Sequence, residues 1–207
     1  MHPILYCHGF ASSPGSAKIT LLRQELANEI EIHAPDLNVP SFEHLDFEAA
    51  VDHAFTLGTR IAPHAIAGSS MGALIALALV RRGLHAPLVL IAPALGVADR
   101  WITRIPSGDP ILAFNYARNG EVPIHRAFFE RMAAVDVDHE PPPVRVTVIM
   151  GTNDESVPFE RVQSVWASWG ERQIVDGSQF IVIRGGDHGL TAHIDVIADA
   201  IRAVVRP

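Results

Sequence analysis

Three short stretches of the chain hold residue types that can do covalent chemistry together. Gly68-Ser69-Ser70-Met71-Gly72 has the form G-x-S-x-G, with Ser70 at its centre. A serine hydroxyl is a weak nucleophile, so it needs a base to take its proton and a third group to orient that base. Gly151-Thr152-Asn153-Asp154-Glu155-Ser156-Val157-Pro158 offers a carboxylate at Asp154, and Gly185-Gly186-Asp187-His188-Gly189 offers an imidazole at His188. The chemistry implied is acyl transfer. His188 takes the Ser70 proton, Ser70 attacks a carbonyl carbon, and Asp154 holds the imidazole.

Each stretch alone has an ordinary explanation. Glycine and serine build tight turns, aspartate forms turns, and a histidine in a glycine loop is usually solvated. The joint pattern carries the reading: nucleophile, acid and base follow one another in that order, each just after an apolar, strand-like run. Among other acids, Glu155 is shifted by one position, Asp176 precedes the last strand, and Asp187 would have to face away from its neighbour His188. Asp136 and Asp138 are the reserve candidates.

The oxyanion formed on attack needs preset backbone donors. One is the Met71 N–H, at the start of the helix that follows Ser70. The other is expected from His8-Gly9-Phe10-Ala11-Ser12-Ser13-Pro14-Gly15, with the Phe10 N–H as donor. His8 is read as support for this loop rather than a second base. Ser12 and Ser13 are read as capping a helix that begins near Ser16.

These residues need elements to place them. Short runs rich in branched residues predict buried parallel strands at residues 4–7, 30–34, 65–67, 88–91, 144–150 and 180–183. Helical periodicity fills 17–29, 47–61, 71–82, 159–169 and 193–205. The alternation predicts an α/β fold: a doubly wound, mostly parallel sheet of about six strands, helices on both faces, and a single domain over residues 1–207. Residues 95–143 break the rhythm with no clear strand. They read as a lid-like, partly helical excursion, with a helix around 124–135. Trp101, Phe114, Tyr116 and Phe128 are the substrate-pocket candidates in it, core packing being the equal alternative.

Composition narrows the partners. With 207 residues, 48% hydrophobic and 19% charged, the chain is long enough to bury a core. A net charge of −7 with scattered basic residues argues against nucleic acid. The one cysteine, Cys7, excludes an internal disulfide and points to the cytoplasm. No apolar run reaches membrane-spanning length. The histidines at 44, 53, 85, 125 and 139 lack tight ligand spacing, so no metal site is expected, and the chemistry requires no cofactor. The expected partner is a small molecule with an acyl carbonyl; the oligomeric state is left open.

The strings Leu5-Tyr6-Cys7-His8-Gly9-Phe10-Ala11-Ser12-Ser13-Pro14-Gly15-Ser16-Ala17-Lys18, Ala67-Gly68-Ser69-Ser70-Met71-Gly72 and Ile91-Ala92-Pro93-Ala94 resemble the small bacterial YqiA-like esterases (UPF0227) of the α/β-hydrolase superfamily. The resemblance is weak over residues 96–143. It implies carboxylesterase activity on short acyl esters or acyl-CoA thioesters, with Ser70, Asp154 and His188 as the triad. C–C or amide hydrolysis by the same triad is one alternative. A catalytically silent binding module is another, against which the intact triad order argues.

Overall fold

The computed structural model describes residues 1–103 and 105–205. In chain order the elements are β1 (His2–Cys7), α1 (Ala17–Glu25), β2 (Ile30–His33), α2 (Phe47–Ile61), β3 (Ala65–Ser69), α3 (Met71–Arg81) and β4 (Leu88–Ile91). Then follow α4 (Arg100–Thr103), β5 (Ile111–Asn115), β6 (Gly120–Ile124), α5 (Arg126–Met132), β7 (Val146–Gly151), α6 (Phe159–Glu171), β8 (Gln179–Ile183) and α7 (Ile194–Val205). Six strands form one sheet in the order β2-β1-β3-β4-β7-β8, every neighbouring pair parallel. All six predicted strands and all five predicted helices are present, most with ends shifted by one or two residues. The first helix is the exception, stopping at Glu25 rather than 29.

The strand order sets the two faces. From β1 the chain steps outward to β2, then crosses back to β3 and continues to β4. Right-handed crossovers therefore put α1 on one face and α2 and α3 on the other. The contacts agree: α1 packs with α7, and α2 packs with α3. The reversal between β1 and β3 is a topological switch point, where open α/β sheets leave a crevice at the strand carboxyl ends.

Local chemistry explains the key helices. In α2, Asp46 caps the start by accepting the Ala49 N–H at 2.9 Å. Its Phe47, Ala50, Val51, Ala54 and Gly58 form one buried stripe at helical spacing. Every residue of α3 from Met71 to Val80 is buried, as its place against β1, β3 and β4 requires. At the start of α1, Ser12 and Ser13 do not cap the helix as expected. Ser16 is the N-cap residue and its side chain makes no capping bond, while the Ser13 hydroxyl accepts the Gly15 N–H.

Residues 95–143 correct the reading of a segment without strands. β5 and β6 pair as an antiparallel hairpin, and the helix predicted around 124–135 is the shorter α5, starting only after β6 ends at Ile124. The turn signal was Asn119-Gly120: Asn119 adopts φ 50° where the chain reverses. Among the described residues no helix is long and apolar enough to cross a membrane.

The elbow around Ser70 depends on two glycines. A Cβ on Gly72 would lie 2.1 Å from the Cys7 carbonyl oxygen, and one on Gly68 would lie 2.4 Å from the Gly72 oxygen. Both contacts are with backbone, which cannot yield. Gly72→Ala is therefore expected to destabilise by about 3 kcal/mol, a drop in Tm of about 6–12 °C for a chain of this size. Gly170→Ala, in an exposed helical position with open space around it, should instead stabilise by about 0.5–1 kcal/mol. Thermal unfolding of both variants beside the wild type checks the pair.

Candidate active site

Ser70 sits between β3 and α3 with φ 55° and ψ −120°, outside the regions L-residues prefer. Such a residue costs about 1–3 kcal/mol and persists only where its surroundings hold it. Here the Ser70 N–H donates to the Ile91 carbonyl at 3.0 Å. The Ser70 carbonyl accepts the N–H groups of Ala73 at 3.0 Å and Ala94 at 3.2 Å. The neighbouring strand β4 and the chain just beyond it thus fix the turn that lifts the hydroxyl.

The acid and base loops are joined to each other. Thr152 N–H donates to the Ile183 carbonyl (3.0 Å), Asn153 N–H to the Gly186 carbonyl (2.9 Å), and Gly185 N–H to Thr152 Oγ1 (2.9 Å). A Cβ on Gly151 would sit 2.2 Å from the Gly186 oxygen, so the two loops pack backbone on backbone. Residues 151, 152 and 186 therefore position the site, a role the sequence reading did not give them.

This joining brings Asp154 to His188. Asp154 Oδ2 lies 2.7 Å from His188 Nδ1, while Oδ1 accepts the N–H groups of Ser156 (2.9 Å) and Val157 (2.8 Å). The Asp154 side chain is fully buried and that of His188 about one-third exposed. An ionised carboxylate only accepts, so Nδ1 is the nitrogen that donates to it, and Nε2 is left to face away from Asp154. His188 and Ser70 line the same cavity. The structure thus brings the three sequence-predicted residues to one sheet edge.

The rival acids are engaged elsewhere. Asp187 Oδ1 accepts the Leu190 N–H at 2.7 Å, and Asp138 Oδ2 accepts the Gly96 N–H at 2.7 Å. Burial raises the Asp138 pKa above the usual carboxylate value. His8 is a loop support: its ring is buried, with Nδ1 2.9 Å from the Gly9 carbonyl and Nε2 accepting the Leu37 N–H at 3.0 Å. Burial holds its pKa down, consistent with this neutral tautomer. Cys7 is buried and its thiol is pushed up to about 12 by desolvation, which leaves it inert.

The two proposed oxyanion donors flank Ser70. Met71 opens α3, so its N–H has no acceptor within the helix. On the other side Gly9 lies so close that a Cβ there would be 3.3 Å from Ser70 Cβ, and Phe10 is the next residue. Phe10 also lines the cavity with Ser70 and His188.

Two cavities meet at Ser70 and His188. One, of about 250 Å³, is walled by Phe10, Val97, Arg100, Trp101, Tyr116 and Val157. The other, of about 340 Å³, runs past Tyr6, Lys18 and Ser69. Of the four aromatic pocket candidates, Trp101 and Tyr116 reach the first cavity. Phe128 and Phe114 do not: Phe128 is buried behind Phe10, stacked on it at 5.5 Å, and Phe114 is exposed on the β5–β6 hairpin.

Spacing along the chain also missed one juxtaposition. Glu43, His44 and His125 bring donor atoms within 4.8 Å of one another. The site is at the surface, the two rings stack at 4.7 Å, and His125 Nδ1 is already bonded to Asp109 at 2.9 Å. None of the three lines either cavity at Ser70.

Known structures of the same shape share this architecture. Est1E from Butyrivibrio proteoclasticus, solved with ferulic acid bound, superposes with a TM-score of 0.76 at 15% identity, covering 98% of this chain and 87% of that one. Alpha/beta hydrolase domain-containing protein 10 from mouse gives 0.74 at 20% identity, covering 98% and 89%. The esterase domain of a Rhodothermus marinus protein gives 0.72 at 15%, covering 98% and 85%. At these identities the likeness establishes the α/β-hydrolase fold. No curated protein sequence matches the chain. The model of the uncharacterised protein family UPF0227 matches residues 3–202. With nearly its whole length matched, the chain belongs to the UPF0227 family and carries its sequence on the α/β-hydrolase fold.

Proposed function

We propose that the protein is a serine hydrolase that cleaves carboxylic esters, thioesters included, through an acyl-enzyme. The observation that carries this is the buried Asp154 bonded to His188 Nδ1 at 2.7 Å, beside a cavity that His188 shares with a strained Ser70. In this reading Nε2 of His188 takes the Ser70 proton as Oγ attacks the carbonyl carbon. The carbonyl π electrons move onto oxygen, where the Phe10 and Met71 N–H groups receive them. Collapse of the tetrahedral intermediate breaks the bond to the leaving alcohol or thiol, which takes the proton back from His188. Water then repeats the sequence and frees the acid. No group beyond these side chains is required.

The first cavity fits the non-reacting carbon skeleton of a small substrate, with Trp101 and Tyr116 as its aromatic walls. A cytoplasmic setting suits a chain whose only cysteine is buried and unpaired.

Two measurements test the reading. A fluorophosphonate probe is expected to label the wild type and Ser69→Ala but not Ser70→Ala; a wild type that stays unlabelled overturns it. Asp154→Asn removes the acceptor that fixes the His188 tautomer, and is expected to lower kcat on a p-nitrophenyl ester on the order of 10⁴-fold. Asp138→Asn, whose carboxylate serves Gly96 instead, should retain wild-type kcat. Full activity of Asp154→Asn would move the acid role to another carboxylate.

A further inference from the structure

The second cavity at Ser70 gathers hydroxyls and one ammonium among its lining residues. Tyr6, Lys18, Ser69, Ser12, Ser16 and Thr191 line it, and among the described residues no carboxylate does. Lys18 stands in the first turn of α1 and reaches across to β3, where Nζ donates to Ser69 Oγ at 2.8 Å. An ammonium has three N–H donors, and this bond is the one that the described residues provide. Among the described residues no ion pair closes on Lys18. The carboxylates that act on it through space are Asp154 and Asp187. Both are engaged, Asp154 with His188 and two backbone N–H groups, Asp187 with Leu190. Desolvation pulls the ammonium pKa down to about 8, so the two carboxylates do not compensate its burial.

A second group in the same wall is also unsatisfied. Tyr6 is 1% exposed, and among the described residues its hydroxyl completes no well-formed hydrogen bond, with the Ser69 side chain as the polar group it faces. A buried hydroxyl without a partner is uncommon and calls for a reason. Tyr6 and Lys18 thus present unused donors to one cavity that also holds the nucleophile and the base. A ligand with an anionic oxygen pair would satisfy both, and a carboxylate has that geometry.

We propose that this cavity is a recognition subsite for a carboxylate on the substrate, bound by Lys18 and Tyr6 while the ester carbonyl lies at Ser70. The substrate class is then a monoester of a dicarboxylic acid, or an ester of a carboxylated alcohol, with its apolar part in the Trp101 cavity. This rests on the ester-hydrolase reading above and narrows it.

The experiment uses matched ester pairs: mono-p-nitrophenyl glutarate against p-nitrophenyl hexanoate, and p-carboxyphenyl acetate against phenyl acetate. The readout is the ratio of kcat/KM, anionic over neutral. Loss of a charge-assisted bond predicts a fall of about 10- to 100-fold in at least one pair for Lys18→Met, with part of it restored by Lys18→Arg. Tyr6→Phe keeps the ring and removes the hydroxyl, so it should lower the same ratio even if Lys18→Met does not fold. Unchanged ratios in folded Lys18→Met or in Tyr6→Phe overturn the subsite. Calorimetric binding of mono-p-nitrophenyl glutarate to Ser70→Ala, with and without Lys18→Met, separates the two proposals. Lys18-dependent binding with no wild-type turnover of any ester sinks the hydrolase reading alone. Turnover with no Lys18-dependent binding sinks the subsite alone.

Discussion

The site depends on one backbone constraint, the turn at Ser70. Its φ of 55° and ψ of −120° lift the hydroxyl above the strand ends, and the geometry holds only because three hydrogen bonds grip the residue from both sides. The same turn requires that the chain pass within contact of itself. Gly72 abuts the Cys7 and His8 carbonyls, and Gly68 abuts Gly72, with no room for a β-carbon at either place. The close approach draws the end of β1 and the start of α3 together. That in turn sets Phe10 and Met71 on either side of Ser70. The strain at Ser70 is thus tied to where the two proposed oxyanion donors stand.

Asp154 and His188 obey a second constraint, independent of the first. β7 and β8 are neighbours in register, with Gly151 opposite Ile183. Their loops leave the sheet side by side and are joined by backbone bonds before Asp154 and His188 are reached. Burying the Asp154 carboxylate would be costly without partners. Two N–H groups and one imidazole supply three, so the carboxylate is held in place and the imidazole with it. In the proposed reaction, proton transfer then involves a base whose orientation was fixed on folding.

Much of this was legible in the sequence, for a physical reason. Strand-loop-helix units put every β-strand carboxyl end at one sheet edge, so Ser70, Asp154 and His188 could be placed from chain order alone. Residues 95–143 resisted the same treatment. In β5, Ile111, Leu112, Ala113 and Phe114 are apolar in succession, although Leu112 and Phe114 are exposed. No alternation of polar and apolar residues marked the strand, and the Asn119-Gly120 turn was its remaining signal. Lys18 was also invisible as a site residue. Its partner Ser69 lies 51 positions away, and only the crossing of α1 over the end of β3 brings them together. Orphaned polar atoms such as the Tyr6 hydroxyl exist only in three dimensions.

The aromatic residues of the excursion divide according to what they touch, and the division shows where specificity is free to vary. Phe10, on the oxyanion loop, stacks on Phe128 and meets Phe129 at 5.7 Å, Trp101 at 6.0 Å and Phe42 at 5.6 Å. The Tyr116 N–H donates to the Ala11 carbonyl at 2.9 Å. The excursion is therefore fastened to the loop that carries Phe10, and Phe128 and Phe129 serve that attachment from within the core. Changing them would shift Phe10, which on the proposed reading disturbs every substrate alike. Tyr116 instead is three-quarters exposed and reaches both cavities at Ser70. A change there alters what the cavities admit while leaving the Phe10 cluster packed. On the proposed reading, specificity is thereby concentrated on the hairpin side of the site, and the position of Phe10 is held by the helix α5 side.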